Sequence, residues 1–161
     1  MVALVHSART SCMIVMIILG ASVFGYFVTM TQATQTLVSA LGSLEISRWS
    51  ILAMLLALYI VLGCFMDQVA ILILTVPIVL PIIKTLGFDP IWFGVLVIVT
   101  AEIGMVTPPL GLNVFVVARY TGRSLGEIFA GVFPHVLAHG LLLAILVAFP
   151  KIVLWLPSTM R

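Results

Sequence analysis

Charge is what this sequence has least of. Only 7% of its 161 residues are Asp, Glu, Lys or Arg, and 63% are hydrophobic. A soluble domain carries about 25% charged residues, so this chain cannot cover a water-facing surface and its natural solvent is a bilayer. The net charge of +2 is scattered, which excludes a basic nucleic-acid patch and an acidic tail. Cysteine is scarce as well. Cys12 and Cys64 each lie in an apolar run without metal-ligand spacing, and they read as two buried free thiols rather than a disulfide. There is no G-x-S-x-G, no phosphate-cradling glycine loop after a strand and no nucleophile–base constellation. Hydrolase chemistry and ATP hydrolysis are therefore unsupported. The opening "MVALVHSARTSC" has neither the charged n-region nor the cleavage site of a signal peptide. It also lacks a hydrophilic leader, from which part of a longer protein is expected.

What is present is a set of membrane-grade apolar runs, and the expected fold is an all-α polytopic membrane protein. Residues 12–30 carry no charge and are long enough for a transmembrane helix at about 1.5 Å per residue. Gly20 and Gly25 within them suit close packing or a kink. The polar stretch "TQATQTLVSALGSLEISR" suits a short surface helix ending near Gly42.

Residues 49–83 form two apolar arms, Trp49 to Met66 and Val69 to Ile83, separated only by Asp67 and Gln68. Each arm is at or below the ~20 residues of a spanning helix, and the second contains Pro77 and Pro81. A re-entrant hairpin with its tip at Gly63–Gln68 is favoured over two separate crossings, because non-helical backbone inside a membrane survives where protein or water covers it. "KTLGFDP" is an interfacial turn, with Gly87 as a C-cap and Pro90 in the first turn of the next helix. Trp92 and Phe93 follow where aromatic anchors stand at headgroup level.

Residues 90–118 are apolar but interrupted by "AEIGMVTPPLGLN". Pro108 and Pro109 remove two amide donors, and Gly104 weakens the helix further. The carbonyls of roughly Ile103 to Thr107 lose helical partners, at a cost in hydrocarbon of several kcal/mol each. A dehydrated cation uses such oxygens well. These carbonyls with the Thr107 hydroxyl make a sodium-type site, and a helix restarting at Pro108 turns a positive N-terminus toward an anion. Gly63 and Asp67 at the hairpin tip would add free carbonyls and a carboxylate at the same depth. Residues 124–156 then read as an interfacial arm, Leu125 to Phe133, and a last span from Val136 to Trp155, with Pro134 at the bend. Basic residues divide three against four between the two faces and assign no orientation.

The run "LGCFMDQVAILILTVPIVLPIIKTLGFDPIWFGVLVIVTAEIGMVTPPLGLNVFVV", with "GASVFGYF" upstream, resembles the C-terminal half of the large membrane subunit of TRAP (tripartite ATP-independent periplasmic) transporters, the DctM-like family. The resemblance covers nearly the whole chain. It implies one inverted-repeat half of an elevator-type transporter, with a re-entrant helical hairpin and a discontinuous transmembrane helix, in the bacterial inner membrane. It implies sodium-coupled symport of organic anions such as C4-dicarboxylates or sialic acid-like carboxylates, with sodium as the coupling ion and no other cofactor. The implied partners are a small DctQ-like membrane subunit, a periplasmic DctP-like binding protein and the N-terminal half of the large subunit, whose repeat this chain lacks.

Carried over residue by residue, Gly63 and Asp67 form the hairpin tip. Gly104 and Thr107 form the unwound stretch lining a sodium site, joined by the carbonyls of Cys64 and Met105. Pro108, Pro109 and Asn113 are the substrate-side candidates, with no metal expected other than sodium. Two roles are open to Asp67, ion contact and N-cap of the second arm. Glu102 is a functional candidate as an intramembrane carboxylate, or an ion-pair partner of Arg119 or Arg123. Asn113 can contact substrate or hydrogen-bond the hairpin, the packing bond being preferred. His135 and His139 have zinc-pair spacing, but no general-base glutamate lies between them, and they read as packing or interfacial residues. Two other readings differ in class: a non-transporting membrane fragment that packs against partner subunits, and an intramembrane metalloenzyme using Glu102, His135 and His139.

Overall fold

In this computed structural model the described residues are 2–32, 35–36, 39, 47–108 and 111–160. They form seven helices and, among themselves, no strand: α1 (Val2–Met30), α2 (Arg48–Phe65), α3 (Gln68–Thr85), α4 (Pro90–Val106), α5 (Leu112–Thr121), α6 (Leu125–Ala148) and α7 (Pro150–Thr159). Four are long and apolar enough to cross a membrane, namely α1 over Leu4–Val28, α2, α3 and α6. The surface helix expected to end near Gly42 falls largely outside the described residues.

Local chemistry explains the boundaries. Ser47 caps α2, its hydroxyl accepting from the Trp49 amide. At the far end Met66 and Asp67 turn extended, and the Asp67 carboxylate accepts from the Val69 amide at 3.0 Å to start α3. Helix α3 runs unbroken through Pro77 and Pro81. It stops at Gly87, whose φ of +77° lets the Phe88 amide reach back to the Ile83 carbonyl. Asp89 then caps α4 by accepting from the amides of Ile91 and Trp92, with Pro90 in the first turn.

Helix α4 is the hub. Its buried residues, Trp92, Phe93, Leu96, Val97 and Ala101, form the core with Leu52, Leu56 and Tyr59 of α2, Ile71, Val79 and Ile83 of α3, and Leu146 of α6. Helix α1 docks on α3, where Gly25 faces Pro77 at a distance that would leave a Cβ in ordinary contact, whereas Gly20 faces open space. Most of its apolar surface remains exposed, including Met13, Leu19 and Phe27.

Three sequence expectations are corrected. Trp92 and Phe93 are not lipid-facing anchors but are 2% and 4% exposed. The indole is buried because its N–H finds a partner, donating to the Leu146 carbonyl at 2.8 Å. The division of 124–156 at Pro134 is not a helix boundary. Helix α6 continues through that proline, and the break comes at Phe149, before Pro150 starts α7. Of the two thiols, Cys64 is buried but Cys12 is exposed, since α1 contacts little of this chain beyond α3.

Candidate functional site

The two interrupted regions meet. Near the end of α2, Gly63 lies against the last turns of α4. A Cβ on Gly63 would stand 2.6 Å from the Ala101 carbonyl oxygen and 2.9 Å from the Gly104 Cα. A Cβ on Gly104 would stand 2.7 Å from the Gly63 Cα and also strike the Ile60 carbonyl. Backbone therefore touches backbone, a contact that only the smallest residues permit. The approach brings the tip to the break in α4. The Cys64 thiol donates to the Ile60 carbonyl at 3.3 Å and reaches the Pro108 carbonyl oxygen at 3.7 Å. Gln68 adds a bond at 3.5 Å from its side-chain amide to the Ile98 carbonyl. The carbonyls of Ile60 and Ala101 and the side chain of Gln68 were not singled out in the sequence, although small residues at 63, 101 and 104 were a usable signal.

The ends of both helices carry spare oxygens. Met66 donates to the Leu62 carbonyl at 2.9 Å. Beyond it the chain is extended, so the carbonyls of Gly63 and Cys64 lie past the last helical donor. At the end of α4, Pro108 has no amide for the Gly104 carbonyl, which takes the Thr107 amide at 3.1 Å instead. Pro109 likewise has none for Met105. The Thr107 hydroxyl donates to the Ile103 carbonyl. That leaves its own lone pairs free and narrows the sequence expectation, because Ile103 and Gly104 are partnered by Thr107.

Not every candidate converges. Gly63 and Gly104 are buried in mutual contact, and Met105 and Thr107 are half-buried on either side of the end of α4. Asp67 is exposed and its carboxylate is spent on the cap. Pro108 is an exposed loop residue, not the start of a helix, and Pro109 lies outside the described residues. Helix α5 restarts later, at Leu112, because Gly111 takes a left-handed φ of +51° before it. Asn113 is exposed and lines an open groove of about 290 Å³ with Val106 of α4 and Ile128, Val132 and His135 of α6. Glu102 faces His139 of α6 at 3.6 Å, not Arg119 or Arg123.

The cap assignment for Asp67 carries its own test. Removing it with Asp67→Ala should cost about 0.5–2 kcal/mol, and Asp67→Asn should restore most of that. Thermal melting checks both effects, and sodium affinity should change little in Asp67→Asn. A large loss of sodium affinity in Asp67→Asn would instead assign the carboxylate to the ion.

Residues 1–152 match the family described as "Tripartite ATP-independent periplasmic transporter, DctM component". The chain belongs to this family, the DctM component of TRAP transporters. It is 34% identical over 155 residues to the C4-dicarboxylate TRAP transporter large permease protein DctM of Pseudomonas aeruginosa, covering 96% of this chain and 36% of the relative. It is 33% identical over 142 residues to the isethionate TRAP transporter permease protein DctMQ of Oleidesulfovibrio alaskensis, covering 88% and 22%. It is 30% identical over 153 residues to the sialic acid TRAP transporter large permease protein SiaM of Vibrio cholerae, covering 95% and 36%. This DctM chain thus spans about a third or less of the length of these curated relatives. DctM proteins are transporter permeases, not enzymes, and with its membrane-capable helices this chain is a multi-pass inner-membrane protein.

Proposed function

We propose that this chain supplies one sodium site and one wall of an organic-anion site in the moving domain of an elevator-type TRAP carrier. In this reading α2 and α3 form a re-entrant hairpin, and α4 and α5 are the halves of one discontinuous transmembrane helix. The observation that carries it is the backbone contact between Gly63 and Gly104. That contact brings the end of α2 to the last turns of α4, which lead into Thr107, and spare carbonyls with a hydroxyl at such a junction are the oxygen-rich setting a small hard cation favours. Sodium bound to Thr107 and the carbonyls of Gly63, Cys64 and Met105 would hold the hairpin tip against the end of α4. The substrate-side candidates around the break would then be ordered before an anion arrives, and that ordering is the coupling.

The relatives' names support the cargo class, since C4-dicarboxylate, sialic acid and isethionate are all acids that are anionic at neutral pH. Partnership with a small membrane subunit is supported by the joint name DctMQ of one relative. A periplasmic binding protein and the N-terminal half of the large subunit complete the proposed assembly. Exposed apolar residues along α1 and α6, such as Phe27, Leu137 and Leu141, suit lipid or that missing half.

Hydrogen exchange tests the mechanism directly. Sodium should slow exchange in residues 62–68 and 103–107, and Thr107→Ala should weaken sodium binding about ten- to hundredfold, the worth of one bond to a charged group. Co-expression with the N-terminal half should give sodium-dependent uptake. Equal exchange with and without sodium, or unchanged sodium affinity in Thr107→Ala, would remove the ion from this site. The alternative of a packing-only fragment then stands.

A further inference from the structure

Away from the Gly63–Gly104 crossing, three side chains converge between α4 and α6. The carboxylate of Glu102 and the rings of His135 and His139 each place one ligand atom within 4.8 Å of the others. The two imidazoles sit one turn apart on α6 with ring centres at 4.1 Å. His139 Nδ1 lies 3.1 Å from the His135 carbonyl oxygen. A carbonyl only accepts, so Nδ1 carries the hydrogen and Nε2 is the atom turned toward Glu102. Nε2 and Oε2 are 3.6 Å apart, too far for a hydrogen bond. A metal cation between them would be held by both atoms.

We infer that Glu102, His135 and His139 form a binding site for a borderline divalent metal of the zinc class, distinct from the proposed sodium site. Ligand atoms held about 2.0–2.1 Å from a tetrahedral ion stand about 3.3 Å apart. The His139–Glu102 separation is already near that value, and a small rotation brings in His135. The Nδ1–H bond to a backbone carbonyl is the outer support that fixes a metal-binding imidazole's tautomer and orientation. Two nitrogens and one oxygen suit zinc over sodium or magnesium, which prefer oxygen alone. The open groove lined by Val106, Asn113 and His135 provides an entry path. With Glu102, the one carboxylate the cluster holds among the described residues, used as a ligand, the site binds rather than hydrolyses. Occupancy would tie α6 to the last turns of α4, next to Gly104, and so place a second ion's control on that junction.

Cobalt provides the readout. The full chain is purified without a tag in mild detergent, stripped with chelator and titrated with Co²⁺. One equivalent should produce the visible d–d absorption of a four-coordinate ion, displaced by Zn²⁺ and unaffected by sodium or Mg²⁺. Glu102→Gln and His139→Gln should each weaken binding by at least the roughly 10–100-fold that loss of even an outer partner costs. Glu102→His should restore the band, which a misfolded protein would not do. Absence of the band in the parent, its retention at full affinity in either Gln variant, or no recovery in Glu102→His would overturn the site.

Discussion

Gly104→Ala should destabilise the protein by about 1–3 kcal/mol, the usual cost of forcing extra volume into a packed interior, and should abolish the sodium-dependent uptake proposed for its co-expression with the N-terminal half. The added methyl would sit 2.7 Å from the Gly63 Cα and 3.0 Å from its carbonyl carbon. Both are backbone atoms that cannot rotate aside, so α2 and α4 must separate and carry the α2–α3 turn away from the end of α4. Gly94 provides a control on the same helix, because a Cβ there meets nothing within 4 Å. Gly94→Ala should be neutral or stabilising by up to about 1 kcal/mol, from helix propensity alone. Thermal melting in detergent separates the two variants. If Gly104→Ala melts with the parent, the close crossing does not hold the tip in place.

The second large effect is a rescue of helix at the expense of function. Pro108→Ala with Pro109→Ala returns two amides, which can pair with the carbonyls of Gly104 and Met105 and carry α4 past Val106. Proline costs about 3 kcal/mol relative to alanine inside a helix, so the double variant should be as stable as the parent or more so when sodium is absent. What it should lose is stabilisation by the ion. A ligand at a hundred times its dissociation constant adds about 2.7 kcal/mol to a protein that binds it. The parent should therefore show a sodium-dependent rise in melting temperature and the double variant little or none. Gly111, held at a φ of +51° against Phe129 and the Thr107 carbonyl, limits how far the restored helix can extend. A full sodium response in the double variant would show that the ion does not depend on the break.

Much of the helix layout was legible in the residues. The end of α2 before Asp67, the stop at Gly87, the restart at Pro90 and the break after Val106 all come from side chains acting on backbone within a turn of themselves. Where local rules compete with packing, they misled. Pro134 was expected at a bend between an arm and a span, and the structure places it inside a single helix, α6, that ends only at Ala148. Trp92 has the signature of an interfacial anchor, but its N–H reaches a carbonyl on α6, fifty-four residues away in sequence, and the ring is buried. The Thr107 hydroxyl, expected beside unpaired carbonyls, takes one of them itself.

Composition and the placement of proline, glycine and aspartate determined by themselves that this is a bilayer-suited, all-helical chain with two interrupted apolar regions, and the motif run from Leu62 to Val117 carried the resemblance to the TRAP large subunit. Those features act through solvation and through bonds between near neighbours, so they are written along the chain. Only the tertiary structure decided that Gly63 meets Gly104 and that Glu102 faces His139 rather than an arginine. Each of those pairings depends on how α4 lies against α2 and α6, and a crossing of helices is a property of opposed surfaces that no single stretch of sequence contains.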